Sequence, residues 1–231
     1  MIKAKKRIRI AIVDDEPDDA ETAKLELSYE GFDGVIISGN RHFYKPEDLA
    51  KEIESQADVA LCDHRLRPGG LADFDGAELA ATLFERSIPA VLITQYYMDS
   101  DVSIRRWRRK VPVLMKRADV DPMKVKEGLL RCEAEIGGLP PKDRKPYEAL
   151  VHVDEVRNES GEKVIDVMVT NWDPHQAVRL PMSLVPQNLH ADLSSGMWLL
   201  AKVNVGAERP EDLYFEDIRL APDPDPHDGL A

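Results

Sequence analysis

From residue 7 to residue 135, short apolar runs alternate with segments whose apolar residues recur at helical spacing. The runs are Ile8–Val13, Val35–Ser38, Val59–Cys62, Ala90–Thr94 and Val111–Met115. Each is rich in Val, Ile and Leu and lacks strict polar alternation, as expected of parallel strands buried on both faces. Between them, Ala20, Ala23, Leu25 and Leu27 predict a first helix, Leu49 and Ile53 a second, and Ala77, Leu79, Ala80 and Leu83 a third. Trp107 falls in a fourth, and Val125, Leu129 and Leu130 in a fifth. Five β–α units of this length predict an α/β domain over residues 1–136: a doubly wound, five-stranded parallel sheet with helices on both faces.

The stretch Gly137-Gly138-Leu139-Pro140-Pro141 opens a predicted linker that runs to Pro146. Beyond it the period changes. Leu150–Val156, Val164–Asn171, Val178–Val185, Met197–Val205 and Leu213–Leu220 read as strands separated by turn chemistry such as Asn158-Glu159-Ser160-Gly161. In the fourth of these, Leu199, Ala201, Val203 and Val205 would face one way and Lys202 and Asn204 the other. Five short strands predict a small all-β barrel or sandwich over residues 147–220. Residues 221–231, with three Pro alternating with Asp, are predicted to form a disordered tail.

Composition narrows the functional classes. With 43% hydrophobic and 32% charged residues, the 231-residue chain is not disordered throughout. It has no run of about 18 apolar residues to span a membrane. Met1–Arg7 is basic but lacks the apolar core and cleavage site of a secretory leader. Two cysteines, Cys62 and Cys132, build no disulfide framework, so a cytoplasmic setting is expected. The net charge of −12 is uneven: residues 1–146 carry 25 Lys+Arg against 27 Asp+Glu, residues 147–231 carry 6 against 16. Nucleic-acid contacts need cations, so the second half points away from a nucleic-acid partner.

Polar groups gather where the predicted strands end. Asp14 and Asp15 follow the first strand, Asp63 the third, Thr94 closes the fourth, and Lys116 follows the fifth. In an open parallel sheet, the carboxyl ends of the strands share one functional edge. Three converging carboxylates repel one another, and a hard divalent cation with oxygen ligands, Mg²⁺ above all, neutralises them. Asp63 could then act as a nucleophile towards a phosphoryl group. Lys116 and the metal would stabilise the transferring oxygens, and the Thr94 hydroxyl would hydrogen-bond them. A strand-end Asp followed two residues later by an acid, as in Asp14 and Glu16, also suits a dehalogenase-like phosphatase, but no cap segment accompanies it.

Val13-Asp14-Asp15-Glu16-Pro17, Leu61-Cys62-Asp63, Ile88–Thr94 and Pro112–Lys116 together resemble the receiver domain of two-component response regulators, which has a flavodoxin-like fold. The resemblance spans residues 7–135. It implies Asp63 as phosphoacceptor, Asp15 as a direct Mg²⁺ ligand, Asp14 as a ligand through water, and the Arg65 backbone carbonyl as a further ligand. Thr94 becomes the switch hydroxyl and Lys116 the phosphate-pairing cation. It also implies a histidine kinase or phosphotransfer protein as donor. Three positions depart from the family pattern: Gln95 replaces a small residue, Arg117 a proline, and Val113 a switching aromatic, for which Tyr96 or Tyr97 could substitute. The segment His64–Gly76 is longer than the family norm.

Arg105, Arg106 and Arg109, in the basic run Arg105–Lys110 of the fourth predicted helix, suggest a solvated face or a contact surface for a protein effector, a homodimer or the acidic second half. Cys62 reads as a small buried hydrophobe. Trp172 and Trp198 suit core packing better than base stacking on an oligonucleotide-binding barrel, the alternative reading of the second domain.

Overall fold

The structure, a computed structural model, describes residues 7–37, 41–95, 101–159 and 161–222. The chain divides into two compact units, Met1–Pro141 and Lys142–Ala231.

In the first unit the strands are β1 (Ile8–Val13), β2 (Phe32–Ile37), β3 (Val59–Asp63), β4 (Ala90–Thr94) and β5 (Val113–Lys116). They form one parallel sheet in the order β2-β1-β3-β4-β5. The helices are α1 (Pro17–Tyr29), α2 (Pro46–Gln56), α3 (Gly76–Glu85), α4 (Asp101–Arg105) and α5 (Pro122–Ile136). Because side chains alternate across a strand, Ile10 and Ile12 join Ala20, Leu27, Val125 and Leu129 in one core. Ala11 and Val13 join Leu49, Ile53, Leu79 and Leu83 in another on the opposite face. The unbroken apolar runs are thus explained by two cores rather than one.

Details differ from the periodicity. Leu25 and Leu130 are exposed, whereas Ala20 and Leu27 anchor α1. Tyr96 and Tyr97 lie outside the described residues. The expected fourth helix does not carry the basic run: α4 ends at Arg105, and Arg108–Lys110 form a 3₁₀ turn. Pro112 bounds the 3₁₀ turn, since the residue before a proline is pushed out of the helical region, and Val111 sits at φ −119°, ψ 83°. Nor is the run a uniform basic face. Arg105 and Arg108 are buried, Arg108 donates to the Val111 carbonyl, Arg109 pairs with Glu135 at 3.0 Å and Lys110 with Glu85. Of the three interface candidates Arg105, Arg106 and Arg109, Arg106 alone is exposed.

The second unit is a five-stranded antiparallel sheet of β6 (Tyr147–Glu159), β7 (Glu162–Val169), β8 (Asp173–Pro181), β9 (Trp198–Val203) and β10 (Phe215–Leu220), ordered β10-β9-β6-β7-β8. The long β6 pairs with β9 through its first half and with β7 through its second, with an irregularity between Val153 and Glu155. A bend there lets one strand serve both halves of the sheet. Ala149, Val151, Val153, Ile165, Val167, Leu199, Ala201 and Val203 fill its core. Asn204, expected to face outward, is fully buried. Its amide nitrogen donates to the carbonyls of Asp143 and Asp212, each at 3.0 Å, and its oxygen accepts the Tyr214 N–H at 2.6 Å.

Candidate functional site

The chain runs from β1 outward to β2 and then returns to the other side of β1 to lay down β3. That reversal opens a crevice at the carboxyl ends of β1 and β3. Asp14 and Asp15 follow β1 there, and Asp63 closes β3. One oxygen from each carboxylate falls within 4.8 Å of the other two. The three residues are only 2%, 8% and 6% exposed. Such a set of hard, anionic oxygen donors fits a divalent cation of the Mg²⁺ class.

Each acid accepts a backbone N–H, two of them from local residues and one from far along the chain. Asp14 Oδ1 accepts the Glu16 N–H at 3.0 Å, and Asp63 Oδ2 accepts the Arg65 N–H at 2.8 Å. Asp15 Oδ2 accepts the Gly69 N–H at 2.6 Å. The contact with Arg65 is therefore through its amide. Two glycines permit this closeness: a Cβ on Gly69 would stand 2.5 Å from the Asp15 carbonyl oxygen, and one on Gly76 would stand 1.8 Å from that of Asp63.

Thr94, almost fully buried, lies one residue beyond Ile93, the neighbour of Asp63 across the β3–β4 ladder. Lys116 stands opposite Thr94 across the β4–β5 ladder and is exposed. Gln95, just past β4, is exposed. Val113 is buried among Val91, Ile93 and Val125.

One member of the site was not expected as such. Arg117 Nη2 donates to Asp63 Oδ1 at 2.6 Å and to Asp14 Oδ2 at 2.8 Å, while Nη1 donates to Asp19 at 3.0 Å. The signal in the sequence was the arginine directly after Lys116, one of the positions that depart from the resembled pattern. Burial would push the Arg117 guanidinium down, but the Asp14 hydrogen bond and the charges of Asp63 and Asp14 raise it further, so it stays charged. Burial raises the carboxyls of Asp63 and Asp14 above their ordinary values despite Arg117. Cys62 is fully buried, and burial together with the Asp63 charge pushes its thiol up.

In the second unit, Trp172 Nε1 donates to the Ala207 carbonyl at 2.7 Å and the ring packs against the core. Trp198 is 43% exposed and lies against His152, with ring centroids 4.6 Å apart. Among the described residues, no helix is long and apolar enough to cross a membrane.

No protein-family model and no curated protein matches the chain. Among solved structures it is similar to a sensor protein from Polaromonas sp. JS666, at 19% identity over 57% of this chain and 99% of that one, with a TM-score of 0.43. It is similar to the signal receiver domain of NarL from Mycobacterium tuberculosis, at 20% identity over 56% and 98%, with a TM-score of 0.41. A CheY-like response regulator receiver domain protein from Methanospirillum hungatei JF-1 matches at 23% identity over 56% and 99%, with a TM-score of 0.42.

Proposed function

We propose that the parallel-sheet unit is the receiver of a two-component response regulator, and that Asp63 takes a phosphoryl group from a histidine kinase or phosphotransfer protein in the cytoplasm. The observation that carries this reading is the convergence of Asp14, Asp15 and Asp63 at the crevice between β1 and β3. An Asp63 carboxylate oxygen bonds to phosphorus as the phosphorus–nitrogen bond of a phosphohistidine breaks, and the departing imidazole takes up a proton. Asp14, Asp15, Asp63 and the Arg65 carbonyl would hold Mg²⁺, which supplies charge neutralisation on the transferring oxygens. The Thr94 hydroxyl and the Lys116 ammonium pair with the phosphoryl oxygens. Their shift towards the new charge alters the face formed by α4, β5 and α5. Gln95 and Val113 line the route of that change.

Acetyl phosphate and Mg²⁺ test the reading by intact mass. The wild-type chain gains the mass of one phosphoryl group, and Asp63→Asn gains none. A phosphorylated Asp63→Asn chain sinks the assignment.

In this reading the β unit, residues 147–220, is an output module for a protein partner, joined through residues 137–146. Its excess of acidic residues supports that class over nucleic acid. The exposed Trp198 beside His152 favours a second reading, in which the sheet is an oligonucleotide-binding platform. Single-stranded DNA or RNA titrated against the full chain at low salt separates the two: binding that is lost in Trp198→Ala supports the platform, and no binding removes it.

A further inference from the structure

Every carboxylate of the acidic crevice is engaged by a donor from the chain itself. Those from Glu16, Gly69 and Arg65 are backbone N–H groups, fixed by the fold. Arg117 differs in kind. Its guanidinium reaches the crevice on a flexible stem, and its side chain remains 26% exposed. A single nitrogen, Nη2, bridges Asp63 Oδ1 and Asp14 Oδ2, and the other end is tied to the half-exposed Asp19 in the first turn of α1. The cluster of three acids therefore carries its own cation on the two carboxylates that come from different strands.

Resting on the reading of Asp63 as a phosphoacceptor beside a divalent cation, we propose that Arg117 is a tethered occupant of the cation seat. Its guanidinium and a divalent metal compete for Asp63 and Asp14, and the metal enters only as Arg117 swings out. A divalent ion on these carboxylates would face a like charge at contact distance in a partly dry crevice, where Coulomb repulsion is weakly screened. Removing Arg117 changes the crevice from two net negative charges to three, which draws a divalent ion more strongly. The same contact restrains the nucleophile, because an oxygen held in a charge-assisted hydrogen bond has less electron density to offer. A proline here, as in the receivers this chain resembles, would provide no such occupant. The device offsets one of the three negative charges and keeps Asp63 quiet while metal is scarce.

The test is metal affinity measured directly. Mn²⁺ is titrated into the full chain and followed by loss of the free-ion electron paramagnetic resonance signal, with Mg²⁺ added in competition, at about pH 8, where carboxyls are ionised. Arg117→Gln is expected to bind Mn²⁺ about tenfold more tightly than wild type, equivalent to about 1.4 kcal/mol. The difference should survive about 1 M KCl, where the Debye length is about 3 Å and only contact effects persist. Equal or weaker affinity, or a difference that vanishes in salt, overturns the proposal. Should Arg117→Gln fail to fold, Asp19→Asn carries the test. It removes a negative charge near the crevice, so a simple acidic field predicts weaker binding, whereas loss of the tether predicts binding about threefold tighter. An unchanged or weaker affinity in Asp19→Asn overturns the proposal. Intact mass after acetyl phosphate treatment answers the other question separately. A wild-type chain that takes up no phosphoryl group at saturating Mg²⁺ defeats the phosphoacceptor reading. Equal Mn²⁺ affinities in wild type and Arg117→Gln defeat the competition and leave that reading standing.

Discussion

Gly69 donates its backbone N–H to Asp15 Oδ2 at 2.6 Å, so the segment between β3 and α3 reaches across the edge of the sheet to hold an acid 54 positions earlier. The segment is long but not loose. Its own Leu66, Leu71 and Phe74 are buried, and Phe43 exchanges backbone hydrogen bonds with Leu71 and Asp73 at 2.9 and 3.0 Å. A methyl group at Gly69 would lie 2.7 Å from Asp15 Cβ as well as close to its carbonyl. Gly69→Ala is therefore expected to destabilise the first unit by about 1–3 kcal/mol, as overpacking does. Urea denaturation checks this, and an unshifted midpoint would mean the loop does not close on Asp15.

His42 clasps the same segment. Its Nδ1 lies 2.7 Å from the Gly70 carbonyl and its Nε2 3.0 Å from Asp73 Oδ1. Both partners are acceptors, so only the doubly protonated ring donates to both. The Gly70 carbonyl, with Asp73 behind it, raises the His42 pKa above its ordinary 6.5. A raised folded-state value for a base gives stabilisation that is complete below the unfolded pKa and lost as pH rises through the folded one. Amide exchange at Gly70 and Leu71 should accelerate as pH climbs through that midpoint, beyond the intrinsic pH dependence of exchange. Asp73→Asn should lower the His42 midpoint in an NMR titration. A midpoint unmoved by Asp73→Asn would remove the clasp.

The first unit was largely legible in the sequence because its signals are local. β1 and β4 occupy the runs Ile8–Val13 and Ala90–Thr94 themselves, since an apolar run bounded by charged or turn residues has few other ways to be buried. β2 begins at Phe32 rather than Val35 because Phe32, Asp33 and Gly34 pair with Ile8, Arg9 and Ile10 of β1, a pairing the apolar run alone does not mark. Gly34 within it lets α1 approach: a Cβ there would lie 2.8 Å from Lys24 Cγ. Period alone misplaced Asn204, whose burial depends on three backbone partners brought to it by other segments. The acids and their strand-end positions could be read from order. That Arg117 bonds residues 103 and 54 positions away could not, because pairing at that range is a property of the folded edge.

His64 Nε2 lies 3.0 Å from Ser103 Oγ, joining the residue after Asp63 to α4. The ring is buried, and its Nδ1 has no hydrogen-bond partner among the described residues. Ser103→Ala would leave both ring nitrogens unpaired in a dry setting. The expected loss is about 1–3 kcal/mol, read by chemical denaturation. Amide exchange should also quicken through Asp101–Arg105 and not in α2. Equal quickening in both helices would show a global loss of stability rather than release of α4.

In the second unit the comparable role falls to Asn204, which ties the turn at Lys142–Arg144 to the end of β9 and the start of β10. One side chain satisfies two carbonyls and one N–H, and in the same region the Tyr214 hydroxyl donates to the Arg144 carbonyl at 2.6 Å while the Arg144 guanidinium lies 4.6 Å from the Tyr214 ring centroid. Asn204→Ala would leave the Tyr214 N–H and two carbonyls to find other partners in a site without exposed surface. With about 1–3 kcal/mol for each buried group left unsatisfied, the loss should stand at the upper end of single-substitution effects. Asn204→Asp is the sharper variant, because a carboxylate keeps the acceptor for Tyr214 but turns two donor contacts into oxygen facing oxygen. It should therefore be at least as damaging as Asn204→Ala at neutral pH and recover towards it as pH falls and the carboxyl protonates. Thermal denaturation of the two variants across that range checks the order. An Asn204→Asp chain more stable than Asn204→Ala at neutral pH would show that the donors do not hold the turn.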